Sequence, residues 1–372
     1  MSKLGVGIIG CGNISSAYLK LAPMFRDIEV RGVADLNPDV AAAQGQAFGV
    51  PAMDVDGLLG ASEIDIVVNL TVPAAHYAVT DAILRSGKHA YSEKPVVLSL
   101  EDGEALRTLA GQKGLRVGSA PDTFLGGTHQ QARALIDSGA VGDIVAGTAH
   151  VMSHGMEHWH PNPDFFFQPG GGPVLDIGPY YVTNLVQLLG PVARVAALSS
   201  SGSPTRTILS EPRAGETIRV ETPTNIHALL EFVSGATVTL STSWDVWAHR
   251  HGHMELYGST GSLFVPDPNY FGGALDLAGQ DGEIKPVAPW THPLAVPNDE
   301  GQANYRTAGL ADMAQAMRQD RPHRCSLELA LHAVDVMTSV LKSGDSGAFV
   351  ELTTTCARPA ALPPDAAQNL LA

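Results

Sequence analysis

Cysteine is nearly missing: three in 372 residues, Cys11, Cys325 and Cys356, an odd number at wide spacing. That is neither a disulfide framework nor a zinc pattern. Positive charge is also short, with 23 Lys and Arg against 38 Asp and Glu, a formal net charge of −15. Nucleic acid and anionic membranes both need a basic face, so neither is expected as a partner. No apolar run approaches the roughly eighteen residues of a membrane span. Met1-Ser2-Lys3-Leu4 leads straight into a strand with no apolar leader, so the expected location is cytoplasmic. No repeat or low-complexity tract is visible. What is present is a globular composition, 44% hydrophobic and 16% charged, in a chain long enough for two domains.

Leu4 to Ile9 is a short apolar run and reads as a buried parallel strand. Gly10-Cys11-Gly12-Asn13-Ile14-Ser15 follows, then a helical stretch to Leu21. A GxGxx(small) turn between strand and helix is the dinucleotide fingerprint. Gly10 permits the tight turn, Gly12 lets backbone amides approach a pyrophosphate, and Ser15 replaces the third glycine. A second strand, Glu29 to Ala34, ends at Asp35, twenty residues beyond Ser15. That is the usual distance for an acid bonding the adenosine ribose, although a lone aspartate there also suits a turn or cap. An acid repels a 2′-phosphate, and Leu36-Asn37-Pro38 brings no arginine, so NAD is favoured over NADP.

Asn37-Pro38 has cap chemistry and opens a helix through Phe48, stopped by Gly49. Ile64 to Leu70 is another strand, with its helix from His76 to Ser86. The β-prone tetrapeptide His89 to Ser92 runs into Glu93-Lys94-Pro95. That places Lys94 at a carboxyl end of the sheet, where open α/β sheets bind ligands. A helix from Ser99 to Lys113 and a strand from Arg116 to Ser119 complete a doubly wound parallel sheet of Rossmann type over residues 1–122.

The alternation then stops. A helix is expected over Thr128 to Ser138 and a strand over Asp143 to Met152. Gly170-Gly171-Gly172 leads into a helix ending near Leu189. Strands follow at Ala193–Leu198, Asn225–Phe232, Ala236–Trp244, His253–Gly258 and Ser262–Val265, with Ser234-Gly235 as a hairpin turn. Late helices cover Thr307–Arg318 and Ser326–Leu341, and residues 266–304 read as a long surface excursion. The fold class is α/β, with a second α+β domain over 123–372 built on a large, mostly antiparallel open sheet.

Two histidine groups stand out. His154, Glu157, His158 and His160 precede the glycine turn beside Trp159. His249, His251 and His253 alternate, which on a strand would put them on one face. Imidazole is the commonest metal ligand, but sheet-face histidines are ordinary, and no metal is expected. His154, Trp159 and His160 are read as substrate-lining, the indole to offer a stacking face and the imidazoles to hydrogen-bond.

Glu93-Lys94-Pro95 with its Gly87-Lys88-His89 lead-in, Thr71-Val72-Pro73 with His76, and Gly170 to Tyr180 with Asp176 form a specific combination. Over essentially the whole chain it resembles the Gfo/Idh/MocA oxidoreductases, such as glucose–fructose oxidoreductase and inositol dehydrogenase. The resemblance implies a nicotinamide cofactor held by Gly10, Cys11, Gly12, Asn13, Ile14, Asp35, Asn69, Thr71, Pro73, His76, Glu93 and Lys94. It implies a carbohydrate or polyol substrate met by Lys94, Asp176 and Tyr180, and a homodimer or homotetramer formed through the C-terminal sheet. Many relatives carry histidine four residues after the aspartate; here that position is Tyr180, a variant that glucose–fructose oxidoreductase shares.

A phenol titrates near pH 10 in water, too high for an ideal base, and a nearby ammonium stabilises the phenolate. Tyr180 as base therefore requires Lys94 as partner; packing Tyr180 in the core and using Tyr181 is the competing assignment. The leading expectation is a dehydrogenase or reductase acting on a secondary hydroxyl or ketone of a sugar, glycoside or cyclitol. The alternative is a redox-neutral glycoside hydrolase or lyase that oxidises its sugar transiently. A cofactor-binding sensor without catalysis is the third.

Overall fold

The computed structural model describes residues 2–298 and 301–372. Asp299 and Glu300, inside the expected excursion over 266–304, lie outside the described residues, as does Met1. The apolar runs of the first third become strands β1 (Leu4–Ile9), β2 (Ile28–Ala34), β3 (Ala52–Met53), β4 (Ile66–Asn69), β5 (His89–Ser92) and β6 (Val117–Ser119). They lie side by side in the order β3-β2-β1-β4-β5-β6, every neighbouring pair parallel. This is the Rossmann order. Val6, Val33, Ile66, Val67 and Ala90 are fully buried, as a sheet covered on both faces demands.

The connecting helices are α1 (Ser15–Leu21), α2 (Pro38–Phe48), α3 (Val55–Gly60), α4 (His76–Arg85) and α5 (Leu100–Lys113). Their ends follow local chemistry. The Asn37 side chain accepts the Asp39 N–H at 3.0 Å and Pro38 fills the first turn of α2, which Gly49 ends in the left-handed region. Ser99 caps α5 by accepting the Asp102 N–H at 3.2 Å. Strand order reverses between β1 and β4, and the segments carrying Gly10, Thr71 and Lys94 leave the carboxyl ends of β1, β4 and β5.

Beyond it come α6 (Gly127–Asp137), β7 (Ile144–Met152), α7 (Pro173–Asp176), α8 (Gly178–Leu189), β8 (Val192–Ser200), β9 (Thr205–Thr207), β10 (Thr217–Arg219), β11 (Asn225–Phe232), β12 (Thr237–Ser243), β13 (Met254–Gly258), β14 (Ser262–Val265), β15 (Asp276–Ala278) and β16 (Ile284–Pro286). The chain ends through α9 (Ala308–Gln319), α10 (Leu327–Ser346), β17 (Val350–Glu351) and α11 (Pro364–Gln368). Nine strands form one sheet in the order β16-β15-β14-β13-β7-β12-β11-β8-β17. Only β7 and β12 pair in parallel; the remaining pairs are antiparallel. Every residue of α8 is buried, so its polar members must be paired inside, and Gln187 Nε2 donates to Asn184 Oδ1 at 3.0 Å. β9 and β10 form a separate two-stranded ribbon.

The chain divides into two units, one of Met1–Gly127, Thr291–Val334 and Pro359–Ala372, the other of Thr128–Trp290 and Asp335–Arg358. Residues 291–334 and 359–372, expected with 123–372, thus group with the first unit. Three local expectations are corrected. The excursion over 266–304 carries the paired strands β15 and β16. The helix after the glycine turn is not continuous to Leu189: Ile177 ends α7 and caps α8, because Pro179 fits only a first turn. His249, His251 and His253 precede β13 and are not on a strand.

Candidate active site

In the first unit, Gly10 has φ +100°, and a Cβ there would stand 2.7 Å from the Leu70 backbone. Both the conformation and the closeness of β4 require glycine. Around Gly12 the space is open: beyond its two chain neighbours, no atom of the described residues lies within 4 Å of where a Cβ would point. Ser15 is fully buried, and its hydroxyl donates to the Gly12 carbonyl at 2.6 Å, tying the turn to α1. Asp35 Oδ2 accepts the Cys11 N–H at 2.8 Å and Oδ1 accepts the Asn37 N–H at 2.9 Å. Burial and the Asp35 charge push the Cys11 thiol up to about 11, so it stays protonated and inert at neutral pH. Beside this turn is a cavity of about 550 Å³ lined by Asp35, Pro38, Ala41, Met53, Asp54 and Asp56 among others. Its walls hold carboxylates and no lysine or arginine.

Asn69, fully buried, donates to the His76 carbonyl at 3.0 Å and to the Thr80 hydroxyl at 3.1 Å, and its Oδ1 accepts the Thr71 N–H and hydroxyl. His76 contacts the Pro95 carbonyl at 2.6 Å and the Thr71 carbonyl at 2.9 Å. These two residues therefore join the Thr71–Pro73 loop to the Lys94–Pro95 segment. Pro73 opens the short turn Pro73–Ala75 before α4. Glu93 is buried, accepts the Tyr18 hydroxyl at 3.0 Å and pairs with Arg306 at 3.3 Å, while Lys94 is partly exposed. Burial alone would raise the Glu93 carboxyl, but the Arg306 guanidinium and the Lys94 ammonium hold it below the usual range. Arg306, some 213 positions from Glu93, was not singled out by any motif.

In the second unit, Gly172 at φ +89° turns the chain into α7, and its N–H donates to the Phe166 carbonyl at 2.7 Å. Asp176, partly buried, closes that turn, and Tyr180 follows in the first turn of α8, 5% exposed. Asp176 and Tyr180 thus fall on successive helical pieces, the end of α7 and the start of α8. Tyr181 is tied elsewhere: its hydroxyl lies 3.1 Å from His253 Nδ1, and burial with Asp267 pushes it well up.

The segment before the glycine turn splits its residues. The His154 ring stacks on Trp247, centroids 3.3 Å apart, and Trp247 is 81% exposed. Trp159 is 57% exposed; His160 packs edge-on to Phe165 and Phe166 and accepts the Asn162 N–H. Glu157 turns inward to Arg206 at 2.9 Å, and Arg206 also binds Asp245 and the Trp244 carbonyl. His154, Glu157, Ser203, Thr205, Arg206 and Asp245 edge a cavity of about 430 Å³. His251 stacks on His150 at 4.1 Å and faces His249 at 6.1 Å. Among the described residues, no group of three or more His, Cys, Asp or Glu is placed to hold a metal ion, and no helix is long and apolar enough to cross a membrane.

A parallel sheet in Rossmann order, with an open glycine turn answered by an acid at the end of β2, is the frame of a nicotinamide-dependent oxidoreductase. Comparison with known proteins agrees. Residues 4–120 match the profile described as oxidoreductase family, NAD-binding Rossmann fold, and residues 129–264 match the GFO/IDH/MocA C-terminal domain. The chain belongs to the Gfo/Idh/MocA family of oxidoreductases, with an NAD-binding Rossmann fold at its N-terminus. It is 28% identical over 326 residues to dTDP-3,4-didehydro-2,6-dideoxy-alpha-D-glucose 3-reductase of Streptomyces violaceoruber, covering 85% of this chain and 86% of that one. It is 27% identical over 327 residues to D-apiose dehydrogenase of Paraburkholderia graminis, covering 82% and 85%. Its fold matches that of levoglucosan dehydrogenase solved with NADH and L-sorbose, at a TM-score of 0.80 and 21% identity, over 95% of this chain and all of that one.

Proposed function

We propose that the protein is an NAD-dependent dehydrogenase or reductase acting on a secondary hydroxyl or ketone of a sugar, glycoside or cyclitol. The observation that carries the reading is the placement of Lys94 next to the buried Glu93–Arg306 pair, at the strand end that neighbours the Gly10 turn across β4. Bound there, NAD would supply the hydride acceptor or donor. Gly10, Cys11, Gly12, Asn13 and Ile14 would face its pyrophosphate, and Asp35 its ribose. Asn69, Thr71, Pro73 and His76 would border the nicotinamide end. The acid-lined cavity by Asp35 would repel a 2′-phosphate, which favours NAD over NADP.

In the reaction Lys94 polarises the reacting oxygen, Tyr180 takes or returns its proton, and Asp176 holds a neighbouring hydroxyl. His154, Trp159 and His160 line the substrate. The first unit thus serves the cofactor. The second serves the substrate and, through its open sheet, a homodimer or homotetramer. The relatives named above are a reductase and dehydrogenases, which supports net hydride transfer over the redox-neutral course.

The test is absorbance at 340 nm with NAD and a panel of D-apiose, levoglucosan and myo-inositol. NADH should accumulate with at least one sugar or cyclitol. Protein that binds NAD yet forms no NADH with any of them, while releasing a split or eliminated product from a glycoside, would overturn the reading.

A further inference from the structure

Glu93 is 7% exposed, and a carboxylate so buried must be matched by charge and hydrogen bonds. Its Oε1 accepts from the Tyr18 hydroxyl at 3.0 Å and from Arg306 Nη1 at 3.3 Å, and its Oε2 accepts the Lys94 N–H at 3.1 Å. The titratable groups around it are Tyr18 on α1, Tyr91 on β5, Asp122 after β6, Arg306 before α9, and Lys94 itself. Two phenols and a second carboxylate bring no positive charge. The cations are Arg306 and Lys94.

Arg306 is aimed by an unusual backbone. The next residue, Thr307, has φ +103°, a conformation that a β-branched residue adopts only when its surroundings enforce it. The enforcing group is Asp122, whose Oδ2 accepts the N–H groups of both Thr307 and Gly309 at 3.0 Å. Thr307 is fully buried and its hydroxyl finds no hydrogen-bond partner among the described residues, so the segment carries both costs to keep this course.

We propose that Arg306 is a positioning residue for Lys94: it neutralises Glu93 from the α9 side, so that the Lys94 ammonium is directed to the reacting oxygen and not drawn onto the adjacent carboxylate. The inference rests on the reading of Lys94 given above. It also gives Glu93 a part apart from cofactor contact, as the buried anchor that Arg306 and the Lys94 backbone share.

The readout is the reactivity of Lys94 itself, so no substrate is needed. The full chain is acetylated with trace acetic anhydride, and labelling of Lys94 is measured by mass spectrometry against exposed Lys113 and Lys342. In Arg306→Gln, Lys94 should label about tenfold more slowly than in the wild type, the size of one charge-assisted hydrogen bond. Arg306→Lys should restore the rate. In a Glu93→Gln background, Arg306→Gln should change nothing, because the charge it balanced is gone. An unchanged Lys94 rate in Arg306→Gln overturns the proposal, and so does an equal fall in the Glu93→Gln background. If Arg306→Gln alone does not fold, the double variant should fold and label like Glu93→Gln, since neither charge is left buried alone; an unfolded double variant also overturns it. Should Lys94→Ala keep full hydride transfer, the functional reading fails while the labelling result stands.

Discussion

At the scale of the residue, the proposed site mixes groups a sequence displays with groups it conceals. Gly10, Gly12, Asp35 and Lys94 sit at fixed offsets from strands, so their spacing announces them. Arg306 does not, because an ion pair closing a loop of some two hundred residues has no local signature. Arg206 is hidden likewise: its partners Glu157 and Asp245 come from loops whose meeting depends on the whole sheet. Tyr180 was legible only as a departure from a histidine. Its role is checked by Tyr180→Phe, which should lower kcat about a hundredfold or more with the NADH dissociation constant unchanged in a fluorescence titration. Tyr181→Phe serves as control. That hydroxyl is engaged with His253, so its loss should reduce stability and leave the pH dependence of kcat unmoved.

At the scale of the element, segments bounded by cap and turn signals were readable, down to the tetrapeptide His89–Ser92, and very short strands without such flanks were not. α2 runs from Pro38 to Phe48 because Asn37, Pro38 and Gly49 each do local work at its ends. The three-residue strands β9, β10, β15 and β16 exist only by pairing, and no window of three residues carries a period. The alternation of His249, His251 and His253 misled for the same reason. A strand needs a partner, and the ladder with β7 starts at Met254 opposite Ala149. The break at Ile177 matters most for the site, since it sets Asp176 and Tyr180 on separate pieces. Gly172 starts that geometry. Gly172→Ala would force a Cβ to φ +89° and to 3.1 Å from Thr222 Oγ1. It should cost about 1–3 kcal/mol in urea unfolding and lower kcat/KM, while NADH affinity stays at the wild-type value.

At the scale of the whole molecule, buried titrations of opposite sign set the response to acid. Burial pushes the His129 imidazole down to about 4, and it also lowers His89, His292 and His323. Their unfolded forms bind protons near pH 6.5, so their contribution is complete above that value and is lost as pH falls through 6.5 towards 4. Burial, opposed by the Gly309 and Thr307 amides, pushes Asp122 up to about 6. Its sign is reversed: the folded state takes the proton first, so acidification from 6 to 4 adds stability. Asp122→Asn should therefore lose about 1–3 kcal/mol more than the wild type between pH 6.5 and 4.5, measured by urea unfolding at each pH. A variant that loses no more than the wild type would show that Asp122 is not the compensating group.

The division of the chain shows where sequence reading stops at this scale. A boundary at 122 follows from the end of strand–helix alternation, a local fact. That residues 291–334 and 359–372 join the first unit depends on which apolar surfaces find each other, and composition does not specify that. The join is made in detail near the end of the chain. Phe25 forms a bridge with Leu371, the Arg26 N–H donates to the Leu370 carbonyl at 2.9 Å, and the Ala372 N–H donates to the Met24 carbonyl at 2.9 Å. Phe25 and Leu370 are both fully buried. On the ribosome, the residues around Phe25 emerge long before their partners exist. The Rossmann sheet can assemble early, but the apolar surface at Phe25 waits for its cover until residues 370–372 have been added, so this seam is closed after the sheet beside it.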